Sequence, residues 1–393
     1  MKRTISDIDV KGKKVFLRVD FNVPLDDSGN ILDASRITAE LPTIKYLLSK
    51  GAKVIICSHL GRPKGEPNPK LSLVSVAKYL VTVLHCKVRF SPNAVGENAK
   101  NLANELNDGE VLVLENIRFY KEEEENDPIF ASKLAELADI YVDDAFGTAH
   151  RKHASNYGVA QLLPNAVGFL MGKETNTISS ALENPERPFI AILGGAKVSD
   201  KLTVVHNLIK RCNTILIGGG MAYTFLKASG KEIGKSLFEE QMLEDARNIL
   251  QEAQNLGVKI LLPVDHVCSD MFSPSAKAIY VKNQGIPAYL QGLDIGKKTI
   301  KLFAKEIKNA KTIIWNGPMG VFEFDNFQKG TKIVAKAVAK NQGKTIIGGG
   351  DSIAAIAKLG LTNKIYHIST GGGASMRLIG GESLPGVDVI SEK

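Results

Sequence analysis

Residues 189–220 read FIAILGGAKVSDKLTVVHNLIKRCNTILIGGG, and this stretch decides the fold class. Phe189–Leu193 is an unbroken apolar run of strand length, cut by Gly194-Gly195. Asp200–Arg211 is an amphipathic stretch of helix length, and Thr214–Ile217 is a second β-branched run that stops at three glycines. A strand, a glycine turn, a helix and a further strand form a βαβ unit, in which the strands lie parallel.

The same alternation extends in both directions. Toward the amino terminus the expected strands are Lys14–Val23, Lys53–His59, Val111–Glu115 and Ile140–Ala145. Toward the carboxy terminus they are Lys259–Val264, Thr312–Trp315, Lys344–Ile347 and Lys364–Ile368. Helices are expected at Ala39–Lys50, Ile129–Leu137, Phe238–Asn255 and Lys329–Asn341. The class is therefore α/β, with doubly wound parallel sheets covered on both faces. At 393 residues the chain exceeds one ordinary core, so two domains are expected. Pro164–Pro188 reads as the bridge, with a helix over Ala166–Leu182 ended by Asn184, Pro185 and Pro188. This gives domains at 1–165 and 189–379, joined by 166–188.

Composition narrows the function classes. The apolar fraction of 44% and the charged fraction of 23% are those of a soluble globular protein. No signal core follows the first residues and no apolar run spans a bilayer, so a cytoplasmic location is expected. Cys57, Cys86, Cys212 and Cys268 are scattered without a C-x-x-C pair, which points to reduced thiols rather than disulfides or zinc. The net charge of +8 suits an anionic partner. Aromatics at 6%, with none interleaved in a basic run, argue against nucleic acid.

Ligands of open α/β sheets sit beyond the carboxyl ends of the strands, and those ends carry two chemistries here. In the first half they are Arg18-Val19-Asp20-Phe21-Asn22, Ser58-His59-Leu60-Gly61-Arg62, Glu115-Asn116-Ile117-Arg118 and Asp143-Asp144-Ala145-Phe146, with His150-Arg151 close behind and Arg36 after the first loop. Arginine after strand upon strand builds a pocket for carboxylate and phosphate. In the second half the ends are Gly194-Gly195-Ala196-Lys197, Gly218-Gly219-Gly220, Asn316-Gly317-Pro318, Gly348-Gly349-Gly350-Asp351 and Gly371-Gly372-Gly373. Glycine lets backbone N–H groups approach phosphates, and a helix beginning just after adds its positive end. Five such turns indicate a nucleotide, and Asp351 is a candidate ligand for the Mg²⁺ that accompanies it.

Three look-alikes fall away. Gly230–Ser236 is one residue short of a P-loop and follows no strand. His150 and His153 lack partners at zinc-site spacing, and no G-x-G-x-x-G follows the first strand.

Arg18–Pro24, Ser58–Pro63 and Val142–Arg151 resemble the acid-substrate side of the phosphoglycerate kinase family. Leu193–Lys201, Trp315–Glu323, Gly348–Ser352 and Ser369–Ser375 resemble its nucleotide side. The resemblance runs in order along nearly the whole chain. It implies a monomer of two α/β domains facing each other across a cleft, closing about a hinge, with residues from about Gly380 to 393 folding back onto the first domain. It implies that Asp20, Phe21, Asn22, Arg36, His59, Leu60, Gly61, Arg62, Arg118, His150 and Arg151 hold 3-phosphoglycerate or 1,3-bisphosphoglycerate. Gly194, Gly195, Lys201, Gly218, Gly219, Gly292, Leu293, Asn316, Pro318, Glu323, Gly349, Gly350, Asp351 and Ser352 would hold ADP or ATP, with Mg²⁺ on Asp351. Arg36, Lys197, Lys201, Gly371 and Gly372 would stabilise the transferring phosphoryl group. Lys297, Met376-Arg377 and Gly172 depart from the usual family pattern, and none removes a catalytic group.

Overall fold

The computed structural model describes residues 2–283 and 285–393. Contacts divide the chain into one unit of Met1–Asn176 with Ser383–Lys393 and a second of Thr177–Glu382.

The first unit holds strands Lys14–Arg18 (β1), Lys53–Cys57 (β2), Val88–Ser91 (β3), Val111–Leu114 (β4), Ile140–Asp143 (β5) and Asn165–Val167 (β6). They form one sheet in the order β3-β4-β2-β1-β5-β6, every pair parallel. The inner strands are buried along nearly their whole length, which is why they read as unbroken apolar runs rather than alternating ones. Val15, Leu17, Val54, Ile56 and Val113 meet Ile37, Ile44 and Leu47 of the helix Ser35–Ser49 in the core.

The second unit holds Phe189–Leu193 (β7), Thr214–Ile217 (β8), Lys259–Leu261 (β9), His266–Ser269 (β10), Ile279–Val281 (β11), Gln291–Ile295 (β12), Thr312–Asn316 (β13), Lys344–Gly348 (β14) and His367–Ile368 (β15). Its main sheet runs β15-β14-β13-β7-β8-β9, again parallel. The chain winds outward from β7 through β8 and β9, then returns to the other side of β7 with β13. The crevice between β7 and β13 is thus the topological switch point, where this fold class places its ligand. Trp315, Phe303, Ile313 and Val334 fill the core below it.

Several boundaries differ from the sequence reading. The first strand stops at Arg18 rather than Val23, because the amides of Asp20, Phe21 and Asn22 turn to side-chain acceptors instead of a ladder. Ala166 and Val167, read as the start of the bridge helix, form the edge strand β6; the helix runs Phe169–Glu183 and contains the boundary between the units. β10, β11 and β12 make a separate antiparallel sheet that the alternating βα pattern did not reveal. Ser383–Lys393 belongs to the first unit: Arg3 N donates to Ser391 O at 2.8 Å, and Ser391 N donates to Asn165 Oδ1 at 2.8 Å. All four cysteines are free thiols, three of them buried. No helix among the described residues is long and apolar enough to cross a membrane.

Candidate functional site

The basic pocket of the first unit is assembled from the ends of β1, β2, β4 and β5. Asn116, just past β4, fixes the β2 loop: its Oδ1 accepts from Leu60 N at 3.2 Å, and its Nδ2 donates to Leu60 O at 2.7 Å and Leu71 O at 2.9 Å. Asn22 Oδ1 accepts from Gly61 N at 2.9 Å, tying the β1 loop to the same segment. Arg118 Nη1 donates to Gly61 O at 2.9 Å. Arg36 pairs with Asp20, whose own amide donates to buried Glu40 at 3.1 Å. Arg151 Nε lies 3.3 Å from His150 Nε2, and Arg62 is exposed beside Gly61.

His59 reports the field these groups create. It is 4% exposed, with Nε2 3.8 Å from Asp20 Oδ1 and Nδ1 3.4 Å from Arg18 Nη2. Burial, then the charges of Arg18, Arg118, Arg36 and Arg151, push its pKa well below the ordinary 6.5, so the ring is neutral. Arg118 is lowered to about 10 by burial and by Arg18 and Arg151. Arg36 is paired with Asp20 and Arg118 Nε lies 3.5 Å from Glu124, while Arg62 is exposed and has no such carboxylate partner among the described residues, so the pocket keeps guanidinium donors for an anion. Phe21 and Leu60 are core residues at 0% and 2% exposure, so only their backbone is available to a ligand.

Arg18, Asn116 and Glu40 were not singled out from sequence as site residues. Arg18 Nε donates to Ser155 Oγ at 2.8 Å, and Ser155 donates in turn to the buried Glu123 at 2.6 Å, so the arginine beside His59 is held from behind. The signal for Arg18 and Asn116 was their place in the strand-end motifs; Glu40 lies inside a helix and gave none.

In the second unit a cavity of 310 Å³ opens at the switch point. Gly195, Gly219, Gly292, Leu293, Pro318, Glu323 and Asp351 of the expected nucleotide set line it. Tyr223, Leu237, Phe272, Met319 and Val321 complete its wall and were missed, because an aromatic or aliphatic residue near a strand end reads equally well as core. The apolar wall suits a flat heteroaromatic ring, and the glycines leave backbone exposed to its polar tail. Gly292 is required by close approach: a Cβ there would overlap the phenol of buried Tyr223. Gly317 has φ +95°, and a Cβ would collide with the Gly194 backbone and the Lys201 ammonium.

Lys201 lies behind the first glycine turn, donating to Gly194 O and, at 3.1 Å, to Asn316 O. Burial lowers its pKa to about 8, against the opposing pull of Asp351 and Asp200. Lys197 is exposed and outside the cavity wall. Gly194, Gly218, Asn316 and Ser352 form the supporting layer. Asn316 Nδ2 donates to Gly348 O at 2.9 Å, and Ser352 Oγ accepts from Gly317 N at 2.6 Å. Gly350 and Gly372 open the helices Gly350–Lys358 and Gly372–Ile379, preceded by Gly349 and Gly371, so two helix amino termini sit at strand ends of this sheet. Gly230–Ser236 follows the helix Met221–Ala228 rather than a strand, and Ser236 Oγ accepts from Gly292 N at 2.9 Å.

No cluster of three or more potential metal-ligating side chains exists among the described residues. Exposed Asp351 offers one hard oxygen at the cavity edge. That donor set fits Mg²⁺, which takes one or two carboxylates and draws its remaining ligands from water and phosphate.

A parallel α/β unit with a glycine-rimmed, apolar-walled cavity at its switch point, and a unit with an arginine pocket, are features that suit a phosphotransferase. The sequence matches the phosphoglycerate kinase family over residues 5–382. It is 55% identical to the phosphoglycerate kinase of Koribacter versatilis, with 100% of each chain covered, and 53% identical to that of Clostridium tetani, covering 100% of this chain and 98% of the relative. The solved phosphoglycerate kinase of Coxiella burnetii superposes with a TM-score of 0.90 at 38% identity, covering 99% of this chain and 98% of the other. That of Pyrococcus horikoshii gives 0.83 at 37% identity, with 98% of each covered. The chain belongs to the phosphoglycerate kinase family.

Proposed function

We propose that this chain catalyses reversible phosphoryl transfer from 1,3-bisphosphoglycerate to ADP, giving 3-phosphoglycerate and ATP, as a monomeric cytoplasmic enzyme of glycolysis and gluconeogenesis. The geometry that carries this reading is the placing of Arg18, Arg36, Arg118 and Arg151 at or just past the carboxyl ends of the parallel strands of one sheet, with Arg118 Nη1 tied to Gly61 O at 2.9 Å and Arg18 Nη2 3.4 Å from His59 Nδ1. A small acid carrying both a carboxylate and a phosphate satisfies that charge, whereas a neutral sugar or alcohol does not.

Little covalent chemistry is asked of the protein. A β-phosphate oxygen of ADP attacks the acyl phosphate in line, and the carboxylate leaves with its electron pair. Both partners are already anionic, so no general base is needed. Arg36, Lys197, Lys201 and the amides at Gly371 and Gly372 balance the charge that spreads over the transferring oxygens. Arg62, Arg118, Arg151 and His150 hold the acid, with Asp20 and Asn22 orienting Arg36 and Gly61. Asp351 would hold Mg²⁺, which supplies charge neutralisation to the nucleotide phosphates. Transfer needs reacting atoms roughly 3–3.5 Å apart. The two units therefore close around their ligands during turnover and exclude water from the acyl phosphate.

A coupled assay of ADP formation from ATP and 3-phosphoglycerate, with and without Mg²⁺, tests the reading. Mg²⁺-dependent turnover specific to 3-phosphoglycerate is expected. Equal turnover with unphosphorylated glycerate, or none with 3-phosphoglycerate, would overturn it.

A further inference from the structure

The positive charge of this chain is concentrated in one place. Residues 297–344 contain eleven lysines, no arginine and three carboxylates, a net of +8. The whole chain has 50 basic and 42 acidic residues, so the remainder holds 39 of each and is neutral. The helices Lys297–Asn309 and Lys329–Lys340 carry nine of the eleven and pack side by side.

Their spacing puts the lysines on exposed faces. Lys301, Lys305 and Lys308 follow one another at four and three residues, while Ile300, Phe303 and Ile307 are buried on the opposite face. Lys329, Lys336 and Lys340 form the corresponding row over buried Val334 and Val338. Among the described residues none of these six has a carboxylate within 4.0 Å. Glu306, the only acid on the two helices, is engaged with Lys259 at 2.6 Å. Like charges at this spacing oppose helix formation, and a face serving solubility alone would intersperse glutamates.

Between the carboxyl ends of the two helices lies a groove of 620 Å³, floored by Ala304 and Ala337 and walled by Lys308, Lys311 and Lys340. It adjoins the starts of β13 and β14, at the sheet edge opposite the glycine turns. No large hydrophobic residue is exposed anywhere in 297–344. The two lysine rows thus carry no exposed apolar side chain on which a base would stack or that would enter a bilayer; the exposed ring of Tyr280, 5.6 Å from Lys297 Nζ, lies at the amino end of the first helix, away from the groove. What remains is a groove lined by Lys308, Lys311 and Lys340, continued along the two helices by the exposed lysine rows, and complementary in charge to a linear chain of phosphates.

We propose that this face docks linear inorganic polyphosphate, separately from the site of phosphoryl transfer. The test uses the full chain, saturated with ADP so that the nucleotide pocket does not contribute, and titrated with long-chain polyphosphate at two salt concentrations. Lys301, Lys305, Lys336 and Lys340 are replaced together by Gln. A control carries Gln at the exposed Lys13, Lys45, Lys78 and Lys133, which changes net charge equally. Binding by the unaltered chain weakens steeply with salt, the face variant loses on the order of tenfold or more in affinity, and the control and all turnover rates stay unchanged. Equal losses in the two variants, or no binding by the unaltered chain, would overturn the proposal. Tighter binding of single-stranded RNA or of phosphatidylglycerol vesicles than of polyphosphate would replace it with a nucleic-acid or membrane surface.

Discussion

Replacing Lys201 by Met separates the energetics of folding from those of catalysis. The ammonium has its pKa lowered to about 8 from an ordinary 10.5, with burial the leading cause. That difference corresponds to roughly 3 kcal/mol of unfavourable charge burial, which we reduce to about 1–3 kcal/mol for a group retaining some solvent contact. Against it stand the hydrogen bonds to Gly194 O and Asn316 O, worth about 1 kcal/mol each. Lys201→Met is therefore within about 1 kcal/mol of the parent at pH 7, the relieved charge burial nearly offsetting the lost hydrogen bonds. Its turnover falls by about 10²–10³, the usual loss when one preorganised charge partner of a transition state is removed. Below about pH 8 the lysine is charged in both folded and unfolded chains and the cost is full. Between about 8 and 10.5 the folded protein has released a proton that the unfolded chain still holds, so the parent gains stability relative to the variant as pH rises. Trp315, the single tryptophan, is fully buried in the same unit and donates to Gly317 O at 2.7 Å. Its fluorescence during urea unfolding follows this unit, and a coupled assay follows turnover. A variant that unfolds at clearly lower urea yet keeps turnover within about tenfold would refute the charge reasoning.

Three further outcomes follow from the geometry. His59, kept neutral by burial and then by the arginine charges, should show no titration of its ring resonances near pH 6.5 in ligand-free protein; a normal titration there would mean that the ring is neither buried nor under the arginines' charge as the structure places it. The unfolded chain takes up that proton as pH falls below about 6.5, so this residue subtracts from stability on the acid side. Gly292→Ala drives a methyl into the Tyr223 phenol; it should weaken MgADP binding by at least ~10-fold in calorimetry and cost about 1–3 kcal/mol, and unchanged affinity would remove this cavity as the nucleotide site. Gly172 is helical, and a Cβ there meets only Val167 Cγ2 at 3.9 Å, so Gly172→Ala should raise stability by up to ~1 kcal/mol in thermal unfolding, with a loss of stability counting against it.

The sequence showed most where a residue type is out of character for its position. Arg36, Arg118 and Arg151 were legible because guanidinium groups after buried strands have few structural uses, and the glycine turns because triplets of glycine weaken any ordinary element. It showed least where chemistry and packing use the same residue. Tyr223 and Phe272 line the cavity but resemble core and surface aromatics, and Phe21 and Leu60 sit in a site motif while their side chains belong to the core. Lys197 and Lys201 stand four residues apart in one motif. Only the turn between β7 and the following helix decides that Lys201 goes inward and Lys197 out. The antiparallel β10–β12 sheet was hidden because its strands are short and polar, with His266, Ser269, Gln291 and Asp294 among them.

The return of Ser383–Lys393 to the first unit sets an order on how this protein is made. Arg3 is synthesised long before Ser391, whose carbonyl accepts its amide in the finished fold. The second unit is continuous and has all of its strands before Glu382, so it is free to fold while the first still lacks its closing segment. Until that segment arrives, the places of Leu384 and Ile390, 2% and 1% exposed in the finished protein, stay open in the first unit. A chain that stops short of Ser383 therefore has every strand of its second unit and a first unit whose core still lacks two apolar side chains.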